Sequence, residues 1–158
     1  DLHLSLRRQR QMCIRDRSTK KPTFVLDPYF NEIRDVTEFA QKLEKKATLS
    51  IYKAAEGQVF GIIVGLKEGQ FAILTALKFK KELENVGKTV QLFAIADITS
   101  DRLKNFKGID VFIQVACPRI STDNQFDKPV LSTPQANALL KVLRNEKIDD
   151  YLQIPHWL

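Results

Sequence analysis

Between residues 57 and 145, four short apolar runs alternate with stretches of helical period, and this alternation leaves few folds open. The runs cover residues 59–64, 89–94, 109–115 and 129–131. They are rich in β-branched and aromatic residues and end at Gly, Asp or Pro, so each reads as a strand. Residues 70–85 read as a helix closed by Gly87. Thr99-Ser100-Asp101 reads as the N-cap of a short helix reaching Phe106. Ser132-Thr133-Pro134 opens a last helix running to about Leu143, with proline tolerated in the first turn. Apolar strands joined by helices predict an α/β fold: a four-stranded, mainly parallel sheet with helices on both faces.

Upstream, Thr23-Phe24-Val25-Leu26 reads as a short strand closed by Asp27-Pro28. Residues 35–56 then carry Val36, Phe39, Ala40, Leu43, Ala47, Ile51 and Ala54 near the helical period, which predicts one long amphipathic helix. A lone strand joined by a helix to a complete α/β unit is what the end of a preceding domain would leave. The expected organisation is therefore a leader over 1–17, the end of one domain plus a linking helix over 18–56, an α/β domain over 57–146, and a tail over 147–158. The leader has no apolar periodicity, and its Met12-Cys13-Ile14-Arg15-Asp16-Arg17 resembles a translated sequencing adaptor. It reads either as foreign to the natural chain or as a disordered basic segment.

The net charge of +6 is a property of the first residues. Residues 1–21 hold seven basic side chains against Asp1 and Asp16, leaving 18 of the 25 basic and 17 of the 19 acidic residues for everything else. A near-neutral globular part has no basic face for nucleic acid. The longest apolar stretch, residues 59–66, is eight residues with two glycines, too short for a membrane span. Cys13 and Cys117 lie 104 residues apart with no CxxC spacing, so neither a disulfide framework nor a self-contained zinc site is expected, and a reducing cytoplasmic setting is the default.

Two places can carry chemistry. Cys117 follows the third strand in Val115-Ala116-Cys117-Pro118-Arg119, at the strand end where parallel α/β folds keep their sites. Pro118 predicts extended backbone at the thiol. Arg119 offers a permanent cation for a thiolate or an anionic ligand. Asp123, Asn124-Gln125 and Asp127 read as turns of an irregular loop beyond it. A buried, inert cysteine is equally compatible with these residues. His3 and His156 lie near the two ends, so no base for a Cys–His nucleophile and no catalytic residue is assigned. The second place is Lys67-Glu68-Gly69-Gln70, the first strand-to-helix turn, at the same sheet edge. Such turns are most often only turns.

The segments Gln114-Val115-Ala116-Cys117-Pro118-Arg119-Ile120-Ser121-Thr122-Asp123 and Phe126-Asp127-Lys128-Pro129-Val130-Leu131-Ser132 resemble the third-domain cysteine region of the archaeal diphthamide synthesis enzymes. Phe60-Gly61-Ile62-Ile63-Val64 with Lys67-Glu68-Gly69-Gln70 is similar to their Gly-Gln turn, and Lys21-Pro22 with Asp27-Pro28 to the end of their second domain. The resemblance covers residues 20–145 in order. It implies a non-classical radical S-adenosylmethionine enzyme, a 2-(3-amino-3-carboxypropyl)histidine synthase. Three similar α/β domains would each give one cysteine to a 4Fe–4S cluster, and S-adenosylmethionine would donate its 3-amino-3-carboxypropyl group to a histidine of translation elongation factor 2. Cys117 matches the third cluster ligand. Gln70 and Arg119 match the contacts to the aminocarboxypropyl end of the cofactor. A homodimer and a protein reductant are the implied partners. The first domain and most of the second have no counterpart here, so the resemblance implies a fragment inactive by itself. Two other readings stay open: a non-catalytic partner subunit of the same architecture, and an α/β binding module with a structural cysteine.

Overall fold

The computed structural model describes residues 24–67, 71–123 and 126–148. The leader, the Glu68-Gly69-Gln70 turn, Asn124-Gln125, and Tyr151 and Trp157 of the tail lie outside those residues. The chain divides into two compact units, whose described parts are residues 24–46 and 47–148.

The first unit opens with an antiparallel hairpin of β1 (Phe24–Asp27) and β2 (Glu32–Asp35), paired Phe24 to Asp35 and Asp27 to Glu32. Only β1 was legible in the sequence. Glu-Ile-Arg-Asp has no strand pattern of its own, and β2 exists because the turn folds it back on β1. Asp27 Oδ1 accepts from the backbone N–H of Tyr29 (2.9 Å) and Phe30 (3.3 Å). Asn31 takes φ 51°, a left-handed conformation that asparagine tolerates.

Helix α1 (Thr37–Glu56) follows. Its later turns bury Ala47, Ile51 and Ala54 in the core of the second unit, so the two units divide within the helix. Residues on its earlier turns, such as Phe39, stay exposed.

The second unit is a four-stranded sheet in the order β4-β3-β5-β6, with every pair parallel. Its elements in chain order are β3 (Val59–Gly65), α2 (Ile73–Asn85), β4 (Thr89–Ile95), α3 (Ser100–Lys104), β5 (Val111–Gln114), α4 (Pro118–Asp123), β6 (Val130–Ser132) and α5 (Thr133–Leu143). Strand β5 is shorter than the expected 109–115, yet its ladder runs on at both ends. Asp110 N–H donates to Val59 O (2.9 Å) and Val115 N–H to Ile63 O (3.1 Å).

Side-chain alternation sorts the sheet into two cores. Phe60, Ile62, Val64, Val90, Val111, Ile113, Val115 and Leu131 pack on one face with α1, α2 and α5. On the other, Ile63, Phe112 and Val130 pack with Leu103 of α3 and with Phe93 and Phe106. Helix α5 starts as the sequence predicts. Ser132 and Gln135 form a reciprocal capping box, and Pro134 sits in the first turn.

The amino-terminal edge of the sheet is stitched by charged side chains on backbone groups. Asp110 Oδ2 accepts from the N–H of Gln58 (3.0 Å) and Val59 (2.9 Å). Lys88 Nζ donates to Gly57 O (2.8 Å), and Lys128 Nζ to Ile109 O (2.6 Å). The N–H groups of Val59 and Gln58 hold the Asp110 carboxyl below its ordinary 3.8. A depressed folded-state pKa stabilises the fold above the unfolded value, and that contribution drains away as pH falls through the folded pKa. Asp110→Ala is expected to cost about 1 kcal/mol near pH 7, the usual size for losing a side-chain oxygen that accepts from backbone N–H. The gap to the unsubstituted chain closes under acid. Thermal melts at neutral and strongly acidic pH check this; a gap that widens on acidification refutes it.

Candidate functional site

The strand order creates a switch point. From β3 the chain moves outward to β4, then crosses back past β3 to reach β5. The loops leaving β3 and β5 diverge, and open parallel sheets bind their ligands in the crevice at those carboxyl ends. Gly65 ends β3 and Leu66 N–H turns toward Ile95 O (3.2 Å), which draws that loop along β4. Beyond β5, Val115 is still tied to β3, and Cys117 follows two residues later at the same edge. Its thiol is a free one and is partly exposed.

Residues 118–123 are helical, so Asp123, expected in a turn of an irregular loop, instead ends a short helix. Pro118 opens α4, and Asp123 ends it. Proline is a turn signal and also the residue best suited to a first helical position, because its missing N–H has no partner there anyway. Ile120 N–H donates back to Cys117 O (3.0 Å), closing the first turn. Arg119 lies in that turn, partly buried. Asp127 is exposed and pairs with Lys104 (3.5 Å).

Sequence reasoning missed the side chain that organises this corner. Gln114, the last residue of β5, is only 1% exposed. Its Oε1 accepts from Ala116 N–H (2.9 Å), and its Nε2 donates to Cys117 O (2.8 Å) and Ser121 Oγ (3.0 Å). The amide orientation is forced, since a backbone N–H can only donate and a carbonyl can only accept. The signal was present: one glutamine in an otherwise apolar strand end needs partners for a buried amide.

At the end of β4, Asp97 pairs with Lys67 (2.6 Å) and more loosely with Arg102 (3.6 Å). The Lys67 hydrogen bond and charge hold the Asp97 carboxyl below its ordinary value. This ion pair links the loops after β3 and β4. Gln70 lies outside the described residues, so only Cys117 and Arg119 of the expected set are seen near one another. Among the described residues, no group of three His, Cys, Asp or Glu side chains is arranged to hold a metal, and no helix is long and apolar enough to cross a membrane.

Fold and site define a parallel α/β domain that presents one thiol at its switch point. The diphthamide synthesis protein family matches residues 9–152, and the chain belongs to that family. It is 38% identical over 131 residues to the 2-(3-amino-3-carboxypropyl)histidine synthase subunit 1 of Saccharomyces cerevisiae, an alignment covering 80% of this chain and 31% of the yeast protein. With the 2-(3-amino-3-carboxypropyl)histidine synthase of Pyrococcus horikoshii it shares 28% identity, over 87% of this chain and 40% of that one. The structure of Dph2 from P. horikoshii with a 4Fe–4S cluster superposes with a TM-score of 0.70 at 28% identity, covering 87% of this chain and 40% of Dph2. The chain thus spans about a third of the length of these relatives.

Proposed function

We propose that this chain is the cysteine-bearing α/β portion of a 2-(3-amino-3-carboxypropyl)histidine synthase, and that Cys117 supplies one thiolate to a 4Fe–4S cluster. The carrying observation is the place of the thiol. Cys117 lies at the switch-point edge of a fold that matches the cluster-bearing Dph2 with a TM-score of 0.70.

The donor set sets a limit. With only two cysteines in the sequence and no three-donor group among the described residues, the chain cannot hold such a cluster by its own thiolates. It fits as one contributor, with the other thiolates coming from further domains of a longer protein. In this reading residues 57–146 are the third domain and 18–56 the end of the second. When bound and reduced, the cluster would supply one electron to S-adenosylmethionine, for cleavage of its bond from sulfur to the aminocarboxypropyl carbon. The part of this chain is to bind and orient. Arg119 would pair its guanidinium with the carboxylate of that group, and Gln70 would contact the same end. The acceptor is a histidine of translation elongation factor 2, in the cytoplasm, with a protein reductant as electron source.

A homodimer is one assembly. The relatives from S. cerevisiae, Eremothecium gossypii and Candida glabrata, 35–38% identical, are each named subunit 1, which favours pairing with a second, different chain.

The test is a chimera of the P. horikoshii synthase carrying this α/β segment, assayed for aminocarboxypropyl transfer to elongation factor 2. The chimera is expected to load a cluster and turn over, and its Cys117→Ala form to lose both. A folded chimera that loads its cluster equally well without Cys117 refutes the ligand assignment.

A further inference from the structure

We propose that Gln114 is the positioning residue of the Cys117 thiol, its amide clamping the segment from β5 into α4 so that the thiol is held at the switch-point edge. This rests on the reading of Cys117 as a ligand for its purpose, but not for its geometry. Both N–H bonds of the amide and one lone pair are spent on residues 116, 117 and 121, all within seven positions of Gln114. Helix α4, which the clamp joins to β5, packs on β6.

Burial makes the clamp stiff. A buried amide released from its partners leaves unpaired polar groups, so the segment cannot drift while β5 stays in the sheet. Cys117 O is held twice, by Gln114 Nε2 at 2.8 Å and by Ile120 N–H at 3.0 Å. The carbonyl of the cysteine is therefore locked, and rotation about its own side-chain bond is the freedom left to the thiol. A multi-centre cofactor gathered from several domains needs each thiolate pre-placed, because a misdirected ligand loses the benefit of orientation.

The fold contains its own control. Gln135 is also buried (4% exposed), and its Oε1 accepts from Ser132 N–H (2.8 Å) and Ser132 Oγ (3.1 Å), on the strand next to β5 where Ser132 stands opposite Gln114. Gln135→Leu removes a second buried amide of this corner while leaving the bonds of Gln114 to residues 116, 117 and 121 in place.

The experiment measures the alkylation rate of Cys117 by iodoacetamide in the full 158-residue chain. Peptide mass spectrometry counts Cys117 separately from Cys13, at a temperature well below the melting point of every variant. Gln114→Leu is expected to raise the Cys117 rate about fivefold, the equilibrium effect of losing one net hydrogen bond. Ser121→Ala, which removes one bond of the clamp and should fold in any case, is expected to raise it about twofold. Gln135→Leu should lower the melting temperature with no change in rate. Equal rates in Gln114→Leu and the unsubstituted chain overturn the proposal. So does a rate rise in Gln135→Leu matching that of Gln114→Leu, since the amide would then be merely structural. If Gln114→Leu does not fold, an unchanged rate in Ser121→Ala overturns it as well. A cluster indifferent to Cys117 in the chimera would sink the ligand reading while leaving these rates intact, so the two failures are distinguishable.

Discussion

Incubated anaerobically with iron and sulfide and then desalted, this 158-residue chain is expected to retain far less than one 4Fe–4S cluster per chain. Three thiolates are needed to hold three irons of such a cluster while the fourth stays open to a small-molecule ligand. The sequence has Cys13 and Cys117 and no third cysteine. Adventitious iron on a lone thiol is lost on gel filtration, so bound iron and acid-labile sulfide should both fall near background. A stoichiometric cluster whose absorbance disappears in Cys117→Ala would show the opposite: that this chain, alone or as copies of itself, assembles the whole ligand set. The contrast with the chimera matters. The same Cys117 is expected to be dispensable for iron content here and indispensable there, because a chelate of three thiolates binds far more tightly than one.

The second large effect is on stability. Phe112→Ala is expected to cost about 3–5 kcal/mol, the range for deleting a fully buried phenylalanine. That is a large part of the roughly 5–15 kcal/mol that holds a domain of this kind folded. Phe112 is 0% exposed and belongs to the smaller core, with Phe106 edge-on at 6.2 Å and Phe93 tilted by 55° against Phe106 at 4.6 Å. A fall of roughly 10 °C in melting temperature follows from the usual entropy of unfolding.

Gly61 on β3 is the notch that admits this ring, for a Cβ there would sit 2.8 Å from Phe112 Cδ1 and 3.0 Å from Phe93 Cε2. Gly61→Ala should therefore destabilise the unsubstituted chain by about 1–3 kcal/mol through overpacking. In the Phe112→Ala background most of that penalty should vanish, because the clashing ring is gone. Denaturation of the four members of the cycle measures the coupling. Strict additivity would mean that the ring and the notch do not meet as described. Leu74→Ala, at a side chain 80% exposed, is the control and should change little.

Much of the sheet was legible because each strand is apolar on both faces and each joining segment has helical period. Three features were not. Strand β2 has the sequence Glu-Ile-Arg-Asp and becomes a strand only by pairing across a turn. Helix α4, Pro-Arg-Ile-Ser-Thr-Asp, is too short to show an apolar stripe, and its proline signals a turn and a helix start equally well. The Gln114 clamp needs the bend between β5 and α4 before its partners three and seven residues on come within reach. The position of Cys117 just beyond a strand end was legible, whereas the Gln114 side chain that holds the Cys117 carbonyl was not.

By itself the sequence argued for a mainly parallel sheet, since apolar strands alternate with helices that can carry the chain back to the starting edge; that every pair is parallel is seen in the structure. Parallel strands put all their carboxyl ends on one side, and the sequence alone therefore places Cys117 at the carboxyl edge. Strand order was beyond it. Four apolar runs of similar pattern do not say which are neighbours, because neighbours are chosen by the packing of helices from distant parts of the chain. Only the tertiary structure put β5 against β3, which places Cys117 at the switch point and Gln114 beneath its loop.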